Sequence, residues 1–137
     1  MIAYIDSSVL LRLILRQEGA LKEWGTVERG VASALVEVEC LRTLDRLRIR
    51  GLLDEPDLVQ LRETVFRMTA SLEVIEVSAP VLSRASQPLP TALGTLDAIH
   101  LVTALMWRDE FQTDLTMTTH DHALAQAARA SGLKAIG

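Results

Sequence analysis

The chain has 137 residues and a formal net charge of −4, and 49% of its residues are hydrophobic against 23% charged. A chain of this length can form one domain with a single core, and so apolar a composition excludes an intrinsically disordered chain. The negative charge excludes bulk electrostatic attraction to nucleic acid and leaves room only for a local basic groove. We therefore expect a single domain over residues 1–137.

Cysteine content and hydropathy indicate the cellular compartment in which we expect the protein. No apolar stretch approaches the roughly 18 residues of a membrane span, and the N-terminus lacks the basic and apolar regions of a signal peptide. Cys40 is the only cysteine, so neither an intrachain disulfide nor a thiolate metal cluster can form. We expect a cytoplasmic protein in which Cys40 is a small buried hydrophobe.

The first half of the chain predicts two strands, each followed by a helix. In chain order, the predicted elements are a strand over residues 2–5, a helix over 8–16, a less regular helical segment around Trp24, a strand over 31–33 and a helix to about Arg50. Ser33 is suited to cap the second of these helices, and Gly51 to end it.

Three further strands are predicted in the second half. The elements are a helix opened by Asp54 and Pro56 and ending near Ser71, a strand over 72–77, a short helix capped by Ser78, a loop over 87–94, a helix from Thr95 or Leu96 to Trp107, a strand over 115–118, a helix over 122–131 and a strand over 134–136. Strands that alternate with helices predict a parallel sheet covered on both faces. One apolar stripe indicates core packing or, alternatively, a groove for a second copy or partner: Leu58, Leu61, Val65 and Met68.

Two acids lie just after predicted strands. Asp6 is the first residue after the first strand, and Asp121 is the third residue after the fourth, within the segment THDHAL. In open parallel sheets, functional groups gather at the carboxyl ends of the strands. We therefore expect these two carboxylates at the same edge of the sheet.

Two further acids lie within apolar helical segments. In SALVEVECLRTL, helical spacing puts Glu39 on one face with Arg42, whereas Glu37 points elsewhere. In LGTLDAIHLVTAL, Asp97 lies in the first turn of a helix and has no Lys or Arg within four positions. These two acids join the pair at the strand ends as candidate site residues.

Each acid also has a purely structural interpretation. Asp97 suits the N-terminal dipole of its helix, and Asp121 suits the N-cap of the helix that follows it. Glu39 suits a helical ion pair with Arg42. However, all four acids occupy early-helix or strand-end positions in apolar surroundings. Because clustered carboxylates repel one another, a pocket that contains all four requires a cation.

The ligand types indicate which cation. Oxygen ligands favour a hard ion, Mg²⁺ or Mn²⁺, over zinc, which prefers His and Cys. The histidines do not form a zinc set: we expect His100 to be a packed helix residue and His120 and His122 to be exposed loop residues. The alternative for His120 and His122 is a role in adjusting the metal pocket or in contacting RNA. A magnesium ion in a carboxylate pocket is suited to the hydrolysis of phosphodiesters.

Four segments, in order, resemble the motifs of the PIN-domain ribonucleases, and among them the compact VapC-type toxins of type II toxin–antitoxin pairs. The segments are YIDSSVLLRL, ASALVEVECLR, LGTLDAIHLVTAL and TTHDHALAQAARASGLKAI, and they are distributed along the chain from residue 4 to residue 136. The resemblance implies that the acids of the catalytic metal site are Asp6, Glu39, Asp97 and Asp121. It also implies that the hydroxyls of Ser8 and Thr119 assist them.

The resemblance further implies a fold, an activity and partners. The fold is an α/β three-layer sandwich with a five-stranded parallel sheet of order 3-2-1-4-5. The activity is Mg²⁺-dependent cleavage within RNA chains, with Mn²⁺ as a substitute. The partners are a second copy in a homodimer and a small VapB-type antitoxin, with DNA contacted only through that antitoxin and no membrane contact.

Two other functions fit parts of the sequence. A PIN-fold interaction or regulatory module would act mainly by binding an antitoxin in a DNA-bound complex, and it has no need of four acids. A receiver-like phospho-acceptor domain also uses strand-end aspartates with Mg²⁺. That domain needs a paired acid near the first strand and a lysine after the last one, whereas the neighbours of Asp6 are hydroxyl residues.

Arginines are candidate contacts to RNA or to an acidic partner. Arg42, Arg46 and Arg50 recur every four residues along one predicted helix, and Arg12 lies on the helix after the first strand. Phosphate contacts position a nucleic acid without reading its sequence. The alternative is a solvated helix face whose arginines pair with acids such as Asp45.

Overall fold

Five short strands alternate with helices in the computed structural model, which describes residues 1–137. The strands are β1 (Ile2–Ile5), β2 (Arg29–Ser33), β3 (Glu73–Ile75), β4 (Thr116–Thr118) and β5 (Lys134–Ile136). The α-helices are α1 (Ser7–Ile14), α2 (Leu35–Ile49), α3 (Glu55–Ala70), α4 (Ala79–Ala85), α5 (Thr95–Phe111) and α6 (His122–Ala130). The less regular segment around Trp24 is a short 3₁₀ helix, Lys22–Thr26.

The strands form one parallel sheet in the order β3-β2-β1-β4-β5, as predicted. β1 lies in the middle, where Tyr4 is in register with Val31 of β2 and Met117 of β4. Parallel neighbours end at the same edge of a sheet. The residues that follow β1 and β4 are therefore brought together.

Helices cover both faces of this sheet, which confirms the predicted three-layer architecture. Along β1, Ala3 and Ile5 pack on the face covered by α1, α2 and α3, whereas Tyr4 packs on the opposite face with residues of α5 and α6. The first face includes the buried residues Val9, Leu10, Val36, Cys40, Leu44 and Val65. The second face includes Leu101, Ala104, Leu105, Leu124, Ala127 and Ala128.

Local side chains define most helix ends. The Asp54 carboxylate accepts the Asp57 N–H at 2.8 Å as the N-cap of α3, and Ser78 caps α4. At the start of α2 the N-cap residue is Ala34 and not Ser33. The hydroxyl of Ser33, one position before the N-cap, accepts the Leu35 N–H at 3.2 Å. Helix α5 extends past Trp107 to Phe111, whose ring centroid lies 4.8 Å from that of Trp107.

The apolar stripe on α3 belongs to the core. Val65 is fully buried, and Leu58, Leu61 and Met68 pack against the same cluster as α1 and α2. Part of the stripe also lines a groove of about 630 Å³ between α3 and α1, which includes Leu13, Leu61 and Met68.

None of the six helices is both long enough and apolar enough to cross a membrane.

Cys40 offers a direct check of this packing. The residue is completely buried, and burial, followed by the negative charges of Glu39, Asp6 and Glu37, raises the pKa of its thiol from 9.0 to about 12. Only the thiolate reacts with a disulfide reagent, so we expect the folded protein at pH 8 to react more than about 100-fold more slowly than the urea-unfolded chain. Equal rates, measured by release of thionitrobenzoate, would contradict this packing.

Candidate active site

Backbone pairing holds Asp6 and Thr119 at the same edge of the sheet. The Asp6 N–H donates to the Thr118 carbonyl at 3.1 Å, and the Thr119 N–H donates to the Ile136 carbonyl at 3.0 Å. The parallel ladder thus continues for one residue past the ends of β1 and β4. Both side chains leave the sheet at this edge.

The Asp6 carboxylate is nearly buried and is held by two hydroxyls. Its Oδ2 accepts hydrogen bonds from Ser8 Oγ at 2.5 Å and from Thr119 Oγ1 at 2.8 Å. Each hydroxyl also accepts a backbone N–H of the loop after β4, Ser8 from His120 and Thr119 from Asp121, both at 3.0 Å. Ser8 and Thr119 therefore orient Asp6 and fix the loop that carries the fourth acid.

Glu39 reaches the same region from the second turn of α2. Its side chain is 23% exposed, and its Oε1 lies 2.6 Å from Nε2 of His100. The alternative ion pair with Arg42 does not form, since Arg42 pairs with Asp45 at 3.0 Å. Glu37 points to the opposite side, where it accepts the Thr69 hydroxyl at 2.9 Å. Glu39 is thus the acid that α2 presents to this edge.

Asp97 lies partly buried in the first turn of α5. The pKa of its carboxyl is affected by burial and by the charges of the other candidate acids. Burial and, after it, the negative charges of Asp121, Asp6 and Glu39 raise the pKa of this carboxyl above its ordinary value. Asp121 is exposed and caps α6 by accepting the Leu124 N–H at 2.8 Å. The four acids therefore share one electrostatic environment, although Asp121 also has the structural role of an N-cap.

These donors suit a hard divalent cation in their chemistry, because they are carboxylates supported by hydroxyls and include no thiolate. In the side-chain positions of this structure, however, no three His, Cys, Asp or Glu side chains are close enough to hold a single metal ion. Glu39 is engaged by His100, and Asp121 by the N-terminus of α6. The four acids are therefore not assembled around one position in this structure, and the four-acid metal site stays a prediction.

His100 contributes to this site through contacts that its sequence pattern did not predict. His100 is fully buried, as expected of a packed residue, but its ring nitrogens contact Glu39 and the Tyr4 hydroxyl. Burial lowers its pKa, but the hydrogen bond to Glu39 and the charges of Glu39, Asp6 and Asp97 outweigh burial and raise the pKa overall. A histidine one helical turn after Asp97, on an apolar face, was the available signal.

The two histidines that flank Asp121 differ from each other. His122 is exposed, as expected, but it is the first residue of α6 and not a loop residue. The expectation of an exposed residue is wrong for His120, which is partly buried because its backbone N–H is held by Ser8. Burial, and the nearby positive charge of Arg12, lower the pKa of its imidazole. His120 is therefore a neighbour of the site on the side of α1.

Three of the four candidate arginines border the acids. Arg42 and Arg46 line a groove of about 330 Å³ together with Glu39. Arg12 lines a separate cleft of about 420 Å³ that includes Thr119 and Asp121 on the other side of the site. Arg50 ends α2 as an exposed C-cap residue and lines neither cavity.

Comparison with known protein families shows which family has this fold. A model of the PIN domain matches residues 3–130, a range that includes all four acids. The chain belongs to the PIN-domain family. It is similar to ribonuclease VapC46 of Mycobacterium tuberculosis (strain ATCC 25618 / H37Rv), with 34% identity over 97% of this chain and 95% of the relative. It is also similar to ribonuclease VapC35 of the same strain, with 31% identity over 97% of this chain and 94% of the relative. The resemblance to VapC-type PIN proteins is thereby confirmed.

Solved structures share the fold at low sequence identity. A toxin–antitoxin complex from Klebsiella pneumoniae contains a chain with a TM-score of 0.68 and 14% identity, covering 100% of this PIN domain and 97% of that chain. A chain in the structure of FitAB bound to the IR36 DNA fragment has a TM-score of 0.70 and 15% identity. The match covers 99% of this chain and 94% of that chain. These matches support the PIN fold.

Charge repulsion in the metal-free site can be tested at Asp97. We expect Asp97→Asn to raise the free energy of unfolding in EDTA at pH 7, because ionised Asp97 is disfavoured by burial and by its acidic neighbours. Since the pKa is raised in the folded state, this cost is present above the folded pKa and disappears as the pH falls towards 3.8, the ordinary value. Urea denaturation across this pH range measures the difference.

The exposed acid Asp114 provides a control with the same change in net charge. Asp114→Asn leaves the four acids untouched, so its unfolding free energy in EDTA should stay close to that of the native protein. A larger loss of stability for Asp97→Asn than for Asp114→Asn would show that Asp97 is not repelled by the other acids.

Proposed function

We propose that this PIN-domain protein is a Mg²⁺-dependent endoribonuclease, with Mn²⁺ as a substitute, and the toxin of a VapBC-type pair. The observation that carries the proposal is geometric: Asp6 is held by Ser8 and Thr119, and Glu39 is held by His100, whose Nε2 also lies 3.8 Å from Oδ1 of Asp6. Burial and, after it, the negative charges of Asp121, Asp6 and Glu39 raise the pKa of Asp97, which agrees with this grouping of acids. A site with four carboxylates and no lysine or arginine partner among them has an excess of negative charge that a divalent cation would neutralise. The ribonuclease names of its relatives support RNA as the substrate.

A bound divalent cation would supply charge neutralisation at the scissile phosphate and acidify the attacking water. Asp6, Glu39, Asp97 and Asp121 are the residues that would hold it. Ser8 and Thr119 donate to Oδ2 of Asp6, which leaves its Oδ1 without a hydrogen bond. Oε2 of Glu39 is likewise free, since only Oε1 contacts His100. These two free oxygens are available to bind a cation or to accept a proton from water.

The basic groove beside Glu39 gives a route for the RNA backbone. Arg46 has no carboxylate partner and donates to the Thr43 hydroxyl at 2.8 Å, and Arg42 is 59% exposed even though it pairs with Asp45. Both guanidinium groups are available to phosphates, whose contacts position RNA next to the acids. Arg12 would contact the RNA on the other side of the site. Arg50 lies too far along α2 to line this groove.

The proposal includes protein partners. We propose a homodimer that is neutralised by a small VapB-type antitoxin in the cytoplasm and contacts DNA only through that antitoxin. A toxin–antitoxin complex with the same fold supports an antitoxin partner. The half-apolar groove between α1 and α3, which is lined by Leu13, Leu61 and Met68, is a surface that an antitoxin helix would fit.

Cleavage of RNA by matched variants tests this function. We expect the native protein to cut RNA with Mg²⁺ and to stop when EDTA is added. Asp6→Asn and Asp97→Asn should each lower the rate by about 100-fold or more, because each removes a charged ligand. Glu37→Gln is the control, since Glu37 lies on α2 but faces Thr69, and it should cut at the native rate.

Equal cleavage by the native protein and both aspartate variants would refute the metal-dependent mechanism. The alternative, an interaction module, makes a different prediction in cells. Growth arrest on expression that persists after both aspartates are replaced would favour it.

The salt dependence of RNA binding tests the arginine groove. We expect Arg42→Ala and Arg46→Ala to raise KM with little change in kcat, because they remove phosphate contacts and leave the acids in place. Each should also reduce the slope of log affinity against log salt by about 0.7, the value for one contact to a single strand. Arg50→Ala is the control on the same helix, and an equal effect there would argue against a defined groove.

A further inference from the structure

A buried chain of hydrogen bonds leads from Glu39 into the core. Nε2 of His100 lies 2.6 Å from Glu39 Oε1, and the other ring nitrogen, Nδ1, lies 2.8 Å from the Tyr4 hydroxyl. The Tyr4 oxygen in turn accepts the Ser33 N–H at 3.1 Å. Both His100 and Tyr4 are fully buried. This chain connects an acid of the site to the middle strands of the sheet.

The donors and acceptors in this chain define where its protons lie. A carboxylate only accepts, so the Nε2–H of His100 donates to Glu39. A backbone amide only donates, so the Tyr4 oxygen accepts from Ser33. When the ring is neutral, the Tyr4 O–H donates to Nδ1, and when the ring is protonated, Nδ1 donates to the Tyr4 oxygen. Both ring nitrogens, the Tyr4 oxygen and the Ser33 N–H have a partner in either case. A flipped ring would leave polar atoms unpaired in the core.

Packing holds the imidazole in this orientation. Its ring meets the Tyr4 ring edge-on, with centroids 5.9 Å apart and an interplanar angle of 77°. Tyr4 is itself immobilised, because it lies on the central strand β1 with neighbours on both sides. The position of Nε2 is therefore determined by the sheet and not by the exposed loops.

The imidazole lies between two of the acids. Its Nε2 is 3.8 Å from Oδ1 of Asp6 in addition to its hydrogen bond with Glu39. It engages one oxygen of Glu39 and leaves Oε2 without a hydrogen bond. Oδ1 of Asp6 is free in the same way, since both hydroxyls donate to Oδ2. Each acid thus has one anchored and one free oxygen.

We propose that His100 is a positioning residue that orients Glu39 for a divalent cation and is itself oriented by Tyr4. The inference rests on the proposed metal-dependent function, because it assigns the free oxygens of Glu39 and Asp6 to that ion. His100 acts only through Glu39 and touches neither RNA nor the ion. Groups that hydrogen-bond a ligating carboxylate in this way commonly change metal affinity by 10–100-fold when they are lost.

Binding of Mn²⁺ by calorimetry tests this role without requiring activity. We expect His100→Ala to weaken Mn²⁺ binding by about 10–100-fold. His100→Gln retains an N–H donor near Glu39 and should recover part of the loss. Tyr4→Phe should give a smaller loss, since it removes only the group that orients the ring. His122→Gln, at an exposed histidine near the same edge, should bind as the native protein does.

A double-mutant cycle separates positioning from general structural damage. In a Glu39→Gln background, we expect His100→Gln to cause no further loss of Mn²⁺ affinity, because the residue through which it acts is already altered. Independent, additive losses would overturn the proposal. Circular dichroism and urea unfolding check that each variant is folded, and if His100→Ala does not fold, His100→Gln and Tyr4→Phe still provide the test.

The ring protons can be observed directly in the metal-free protein. In ¹⁵N NMR spectra, Nε2 of His100 should carry a proton, and a ring protonated only at Nδ1 would contradict the inferred hydrogen bonds. A native protein that neither binds Mn²⁺ nor cleaves RNA would refute the proposed function. A native protein that does both, with folded His100→Gln and His100→Ala variants that bind Mn²⁺ equally well, would refute only the role of His100.

Discussion

Repulsion among the carboxylates at the end of β1 is the constraint that the surrounding structure has to withstand. β1 is hydrogen-bonded on both sides and its residues Ala3, Tyr4 and Ile5 are fully buried, so Asp6 cannot withdraw from this edge. The cost of bringing like charges together is therefore met by the packing of the whole sheet. Without a cation, the neighbouring donors reduce this cost: two hydroxyls bind Asp6, and an imidazole binds Glu39.

Much of this arrangement was predictable because it depends on local patterns. The end of the first strand predicted the position of Asp6, and helical periodicity predicted that Glu39 and Glu37 lie on different faces of their helix. The alternation of strands and helices predicted a parallel sheet. The caps at Asp54 and Ser78 depend on residues three positions away, which a single sequence displays directly. The same strand ends and helical periodicity predicted the edge of the sheet at which the acids lie.

The contacts of His100 were not predictable in this way. Its partners Glu39 and Tyr4 are 61 and 96 residues away in the sequence, and no local pattern reports a contact at that distance. Tyr4 was identified only as part of a buried strand, although its hydroxyl joins two elements. Arg50 continues the spacing of Arg42 and Arg46 but does not line their groove. Regular spacing identifies a helix face, but not how far a cavity extends along it.

The pairing of β1 with β4 also affects how such a protein is made in the cell. Asp6 leaves the ribosome long before Thr119, whose hydroxyl holds it and which lies 113 residues later in the chain. Neither β4 nor the loop that carries Asp121 exists until that point of translation, so Asp6 and Asp121 cannot reach the same edge of the sheet before it. The emerging chain therefore lacks this part of the candidate site for the whole time that these residues are being added.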